Sequence, residues 1–150
     1  MGLRSVGVAL NDSVLFVDDD PENVELIASI SEDIFDRVAV VGTVEAAART
    51  LVAERWDIVV MDLFMPLGEH PSRTLGPRAR KYQEHAEHLG GLVLLEELDR
   101  LPRRPIVISH TACTDHVLIE LFGDRVARKV PKPAPLDTLL QVLVDLREAP

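Results

Sequence analysis

The chain has 150 residues, a formal net charge of −9, 47% hydrophobic residues and 4% aromatic ones. That length suits one domain, and Val, Leu, Ile and Ala must fill its core. The negative charge disfavours non-specific contact with nucleic acid or an anionic membrane, and no apolar run is long enough to span a bilayer. The single cysteine, Cys113, excludes an intramolecular disulfide. The N-terminus lacks the charged start, apolar stretch and cleavage site of a signal peptide, so a soluble cytoplasmic protein is expected.

The first strand is expected over residues 13–17, between Asn11-Asp12 and an acidic run. Pro21 can open a helix at its first turn with Asp20 as N-cap; Val24, Leu26, Ile27 and Ile30 then form an apolar face through Ser31. A short strand follows over 38–41, closed by Gly42. Thr43 caps a helix over 44–54 in which Ala47, Leu51 and Val52 face inward. Residues 57–62 form the third strand, whose apolar run does not alternate, as in a strand buried on both faces. Trp56, just before it, is placed as a plug between helix and strand. The pattern breaks over 67–90, a stretch with prolines, glycines and a polar run. It resumes with a helix over 91–101, a strand over 105–109, a helix over 114–122, a strand over 125–130 and a last helix over 136–147. Five βα units with short connections predict a parallel sheet covered by helices on both faces, an α/β three-layer sandwich.

Chemistry gathers at the strand ends. Asp18-Asp19-Asp20 follows Val14-Leu15-Phe16-Val17, and Asp62 follows Ile58-Val59-Val60-Met61. Open parallel sheets bind ligands at the carboxyl ends of their strands. Carboxylates at that density repel one another unless a cation sits among them, and hard oxygen donors suit Mg²⁺. The late Lys132 then has an anion such as phosphate to pair with.

These residues carry a resemblance. Leu15-Phe16-Val17-Asp18-Asp19-Asp20-Pro21, Asp57 through Met65-Pro66, Gly91-Leu92-Val93-Leu94-Leu95, and Lys132-Pro133 followed by Leu139-Leu140 occur in order and with near-family spacing. In these motifs the chain resembles the receiver domain of two-component response regulators over residues 13–147, apart from 67–90. The resemblance implies a flavodoxin-like (βα)5 fold with a five-stranded parallel sheet in the order 2-1-3-4-5. Residues 1–150 would be one receiver domain, with an insertion at 67–90 between the third strand and third helix. Asp62 would accept a phosphoryl group from a phosphohistidine on a histidine kinase or histidine phosphotransfer protein. Asp18, Asp19, Asp62 and the backbone carbonyl of Phe64 would hold Mg²⁺. Lys132 would pair with a phosphoryl oxygen, the Lys132–Pro133 bond would be cis, and Asp20 would be left to cap its helix.

The chain also departs from the family. A Thr or Ser, usually followed by Ala, ends the family's fourth strand and bonds the phosphoryl group. The Thr111-Ala112 pair favours Thr111, whereas an ungapped count from Pro105 or back from Lys132 lands on His110, with Ser109 within a residue. Thr111 requires a one-residue slip; at His110 an imidazole would take the place. Lys129 stands where the family usually has a switching aromatic, which weakens transfer of the family's homodimer surface. Phe64 is apolar where polar residues often position attacking water, so a slowly hydrolysed phosphoryl group is expected. The stretch 67–90 adds roughly twenty residues beside Asp62, well beyond ordinary loops, and Arg73, Arg78, Arg80 and Lys81 make it locally basic. It is either a lid or docking element or a tolerated surface insertion.

Blander readings exist for the remaining candidates. His85 and His88, three apart and with His70 as a third, read as a solvated helix face rather than a zinc site. His116 reads as an ordinary helix residue and Cys113 as a small buried hydrophobe. After the last helix only Glu148-Ala149-Pro150 remain, so a stand-alone, non-enzymatic receiver is expected. Its output would be contact with a downstream protein or onward phosphotransfer. The alternatives are a pseudo-receiver that signals without phosphorylation and a small Mg²⁺-dependent phosphohydrolase. The latter lacks an acid/base residue at Phe64.

Overall fold

The computed structural model describes residues 11–62, 90–111 and 126–148. The elements are β1 (Ser13–Val17), α1 (Pro21–Ser31), β2 (Arg37–Val41), α2 (Val44–Ala53), β3 (Ile58–Met61), α3 (Gly90–Asp99), β4 (Ile106–Ser109), β5 (Arg128–Lys129) and α4 (Leu136–Glu148). The five strands lie in the order β2-β1-β3-β4-β5, and every neighbouring pair is parallel. This is the expected flavodoxin-like sheet. The helix expected over 114–122 lies outside the described residues. So do Phe64, Cys113, the other histidines singled out, and all of the insertion but Gly90.

Alternation of side chains along each strand divides the core in two. On one face Leu15, Val17, Val59, Met61 and Val107 pack with α2 and α3, through Ala47, Leu51, Leu94 and Leu98. On the other, Val14, Phe16, Ile58, Val60 and Ile108 pack with α1 and α4, through Val24, Ile27, Leu139 and Leu143. β1 and β3 are buried along their whole length, which explains why they read as unbroken apolar runs. Edge strand β2 is only partly buried, and edge strand β5 is exposed.

Helix starts follow their caps. The Asp20 carboxylate accepts from Glu22 N, and the Thr43 hydroxyl accepts from Ala46 N. Two apolar residues expected to face inward do not: Leu26 is 61% exposed and Val52 76% exposed. Each lies one residue, about 100° of helix rotation, from a buried neighbour, Ile27 or Leu51. The buried stripes run through Val24, Ile27 and Ala28 in α1, and through Val44, Ala47 and Leu51 in α2.

The amino-terminal edge of the sheet is tied together by one carboxylate. Asp57 Oδ2 accepts from Asp12 N (2.9 Å), Ser13 N (3.3 Å) and Ser13 Oγ (3.1 Å). Asp57 Oδ1 accepts from Arg103 Nη1 at 3.1 Å. Removing this acceptor takes a hydrogen-bond partner from half-buried donors. Asp57→Ala is therefore expected to destabilise the fold by about 2 kcal/mol in urea unfolding. Trp56 is buried at this same end, with the Arg37 guanidinium 4.2 Å above its ring centroid. Arg37 also donates to the Glu54 carboxylate and to the Arg55 carbonyl.

Candidate functional site at the carboxyl edge

The strand registers set one row at the opposite edge. Val17 pairs with Val41 and with Met61, Met61 with Ser109, and Ser109 with Lys129. The next residues along β1, β3 and β4 are Asp18, Asp62 and His110. Their backbone amides continue the ladder: Asp18 N donates to Val41 O at 3.1 Å, Asp62 N to Val17 O at 3.1 Å and His110 N to Met61 O at 2.9 Å. Sequence places both aspartates one step past fully buried strands, so their carboxylates are held at the mouth of the core. Asp18 is 2% exposed.

Lys132 reaches between the two aspartates. Its Nζ donates to Asp18 Oδ2 at 2.6 Å and to Asp62 Oδ2 at 3.1 Å. The other Asp18 oxygen, Oδ1, accepts from Asp20 N at 2.9 Å, which fixes the carboxylate in place. Burial works to lower the Lys132 pKa, but the hydrogen bond to Asp18 and the charges of Asp62 and Asp18 outweigh it. The net shift is upward, so the ammonium stays charged. The Lys132–Pro133 peptide bond is cis, as the resemblance implies.

Asp19 completes the cluster. One carboxylate oxygen from each of Asp18, Asp19 and Asp62 lies within 4.8 Å of the others. Its pKa is raised, first by desolvation and then by the charges of Asp18 and Asp62. Three carboxylates of graded exposure, with one ammonium for two of them, form a donor set suited to a hard divalent cation. Phe64, whose carbonyl was expected to join them, lies outside the described residues.

The slip needed to bring Thr111 beside Asp62 is absent from the ladder as far as His110, which occupies that register position. Thr111 comes next in the chain, buried, and its carbonyl accepts from Lys132 N at 2.9 Å. The His110 ring is also buried and lies with Nδ1 2.7 Å from the Val130 carbonyl. The ungapped count from Pro105 lands on this register, although the Thr111-Ala112 pair favours its neighbour. Nothing in the linear sequence signals the bond to Val130. A cavity of about 510 Å³ beside Trp56 lies at the amino-terminal edge, away from the cluster. Among the described residues no helix is long and apolar enough to cross a membrane.

No family model matches the chain, and no curated protein matches it. Solved structures do. The N-terminal domain of an uncharacterized protein from Wolinella succinogenes is 24% identical, with a TM-score of 0.70 over 90% of this chain and 93% of that one. A CheY-like response regulator receiver domain from Methylobacillus flagellatus is 17% identical, with a TM-score of 0.62 over 90% of this chain and 98% of that one. The BeF3-activated N-terminal receiver domain of Klebsiella pneumoniae RstA is 20% identical, with a TM-score of 0.63 over 91% of this chain and 99% of that one. Across nine-tenths of its length, the chain resembles response-regulator receiver domains in fold.

Proposed function

We propose that the chain is a phospho-accepting receiver of two-component signalling, a switch rather than an enzyme. The observation that carries this reading is Lys132 Nζ seated between Asp18 and Asp62, with Asp19 beside them, at the carboxyl edge of a receiver-like sheet. Asp62 is the proposed nucleophile. Its carboxylate oxygen bonds to the phosphorus of a phosphohistidine on a partner kinase or phosphotransfer protein. The phosphorus–nitrogen bond breaks, and its electron pair stays on the donor's ring nitrogen. The product on this chain is an acyl phosphate.

Asp18, Asp19 and Asp62, with the Phe64 carbonyl, are the proposed Mg²⁺ ligands. When bound, the ion offsets charge on the transferred oxygens and orients the group. Lys132 exchanges its Asp62 contact for a phosphoryl oxygen, and Thr111 is the proposed hydroxyl donor. The new charge at Asp62 re-pairs these groups, and the loops that carry them move with them. The output is a contact with a downstream protein. We place the exchange in the cytoplasm.

A second reading has an observation of its own. The exposed β5 carries Arg128 and Lys129, with no aromatic to switch between buried and exposed positions. That favours a pseudo-receiver with a fixed interaction surface. One titration separates the two, with Mg²⁺ added first and beryllofluoride second as a phosphoryl stand-in, followed by amide NMR. A receiver shows Mg²⁺-dependent beryllofluoride shifts around Asp18, Asp62 and Lys132 that vanish in Asp62→Asn. Spectra unmoved by both additions would leave the pseudo-receiver. Trp56 lies at the other end of the sheet, so its fluorescence is expected to stay flat throughout.

A further inference from the structure

We infer that His110 is a positioning residue whose imidazole, through Nδ1, clamps the segment leading to Lys132. The inference rests on the receiver reading only for the role of Lys132 toward a phosphoryl group.

The chemistry of one contact decides it. His110 Nδ1 lies 2.7 Å from the Val130 carbonyl oxygen. A carbonyl oxygen only accepts, so the proton must be on Nδ1. In the neutral imidazole Nε2 is then bare, an acceptor with a lone pair. The Nδ1 proton is therefore engaged by Val130 in this geometry. His110 stands beside Asp62 in the sheet register, yet its donating nitrogen is committed elsewhere.

What that nitrogen holds matters to the site. Val130 is two residues before Lys132. The segment between them hangs from β4 by three bonds in succession: Val130 N to Ser109 O at 2.8 Å, His110 Nδ1 to Val130 O at 2.7 Å, and Lys132 N to Thr111 O at 2.9 Å. Two of these are backbone bonds that any sequence could make. The middle one exists only because residue 110 carries a donor at the δ position. β5 itself is two residues long and exposed, so it gives little packing of its own to fix the residues between it and Lys132. Without the imidazole, two of these three ties to β4 remain, the backbone bonds of Val130 N and Lys132 N.

The δ position gives a specific test, because an Asn side chain can place an N–H near Nδ1, whereas Gln places its amide near Nε2. Exchange of the Val130 and Lys132 amides is measured first in the metal-free protein. It is expected to be roughly tenfold faster in His110→Ala and His110→Gln, and close to wild type in His110→Asn. Unchanged protection in His110→Ala, or equal behaviour of Asn and Gln, would overturn the clamp. If the variants fail to fold, the wild-type imidazole ¹⁵N spectrum still decides. Nδ1 is expected to carry a proton, and a bare Nδ1 overturns the inference.

Beryllofluoride affinity in the presence of Mg²⁺ is measured next. It is expected to fall roughly fivefold in His110→Ala and to recover in His110→Asn, while Mg²⁺ affinity does not fall, because the clamp acts on Lys132, a competitor of the metal, and not on the carboxylates. An affinity for beryllofluoride unchanged in His110→Ala would reduce His110 to a purely structural group and overturn its positioning role. If wild type binds no beryllofluoride, the receiver reading fails, and the exchange measurement still decides the clamp.

Discussion

Lys132→Met is expected to move two affinities in opposite directions, tightening Mg²⁺ and weakening beryllofluoride. In the metal-free protein Lys132 is the cation paired with both Asp18 and Asp62. It therefore competes with any metal for those oxygens. Removing it leaves the Asp18, Asp19 and Asp62 oxygens within 4.8 Å of one another without their ammonium. Breaking a buried pair from one side typically costs about 3–5 kcal/mol. The Lys132 side chain is 15% exposed, which puts the expected loss at the lower end, about 3 kcal/mol and roughly 5–10 °C in melting temperature. Saturating Mg²⁺ should restore most of that loss by binding only the folded state. Beryllofluoride instead loses a charge-assisted bond, an effect of roughly 1.5–3 kcal/mol or about 10- to 150-fold in affinity. Calorimetric titration of both ligands checks the split. A parallel fall in both affinities would mean that the site had collapsed rather than lost one contact.

The pH behaviour of this pair has a definite sign. The Lys132 pKa is raised, so the stability it adds is complete below the ordinary lysine range. That contribution is lost only as pH rises through the still higher folded value. Neutral and mildly acidic buffers therefore leave the ammonium unchanged, and the affinities of Lys132→Met can be compared with wild type there without correcting for lysine titration.

Much of this site could be read from the chain because its parts sit where local rules are strong. Asp18 and Asp62 each come directly after a strand buried on both faces, and such strands read as apolar runs with abrupt polar ends. Asp20 and Thr43 announce helix starts through their own caps. The features that could not be read depend on phase or on distance. Leu26 and Val52 are apolar but lie off the buried stripe, and counting apolar residues does not fix the stripe's angle. The fifth strand was expected over 125–130 and is only Arg128–Lys129. An edge strand has one neighbour and little burial to extend it. The Ser13–Asp57 bonds span 44 residues and the His110–Val130 contact spans 20. They arise only once the parallel order brings those segments together.

Asp19→Asn is expected to stabilise the metal-free protein while lowering Mg²⁺ affinity at least tenfold. The Asp19 pKa is raised by desolvation, then by Asp18 and Asp62. A carboxylate with a raised folded pKa is harder to ionise in the folded chain than in the unfolded one. It therefore costs stability at neutral pH, and the cost is relieved as pH falls through its folded value. An amide at this position removes that repulsion and should raise the melting temperature, most visibly at low ionic strength, because Asp19 is exposed and salt screens it. The gap between variant and wild type should close as the buffer is taken down into the carboxylate range, where wild-type Asp19 protonates. Mg²⁺ reverses the order. The ion draws on the same carboxylate charge that destabilises the metal-free fold, so wild type gains more from it than the variant does. Melting curves with and without Mg²⁺ across pH 4–8 make the check, and a variant less stable than wild type without metal would show that Asp19 is held by contacts rather than strained by charge. The repulsion is then the cost of a site built for a cation, and Lys132 offsets it for Asp18 and Asp62 until that cation arrives.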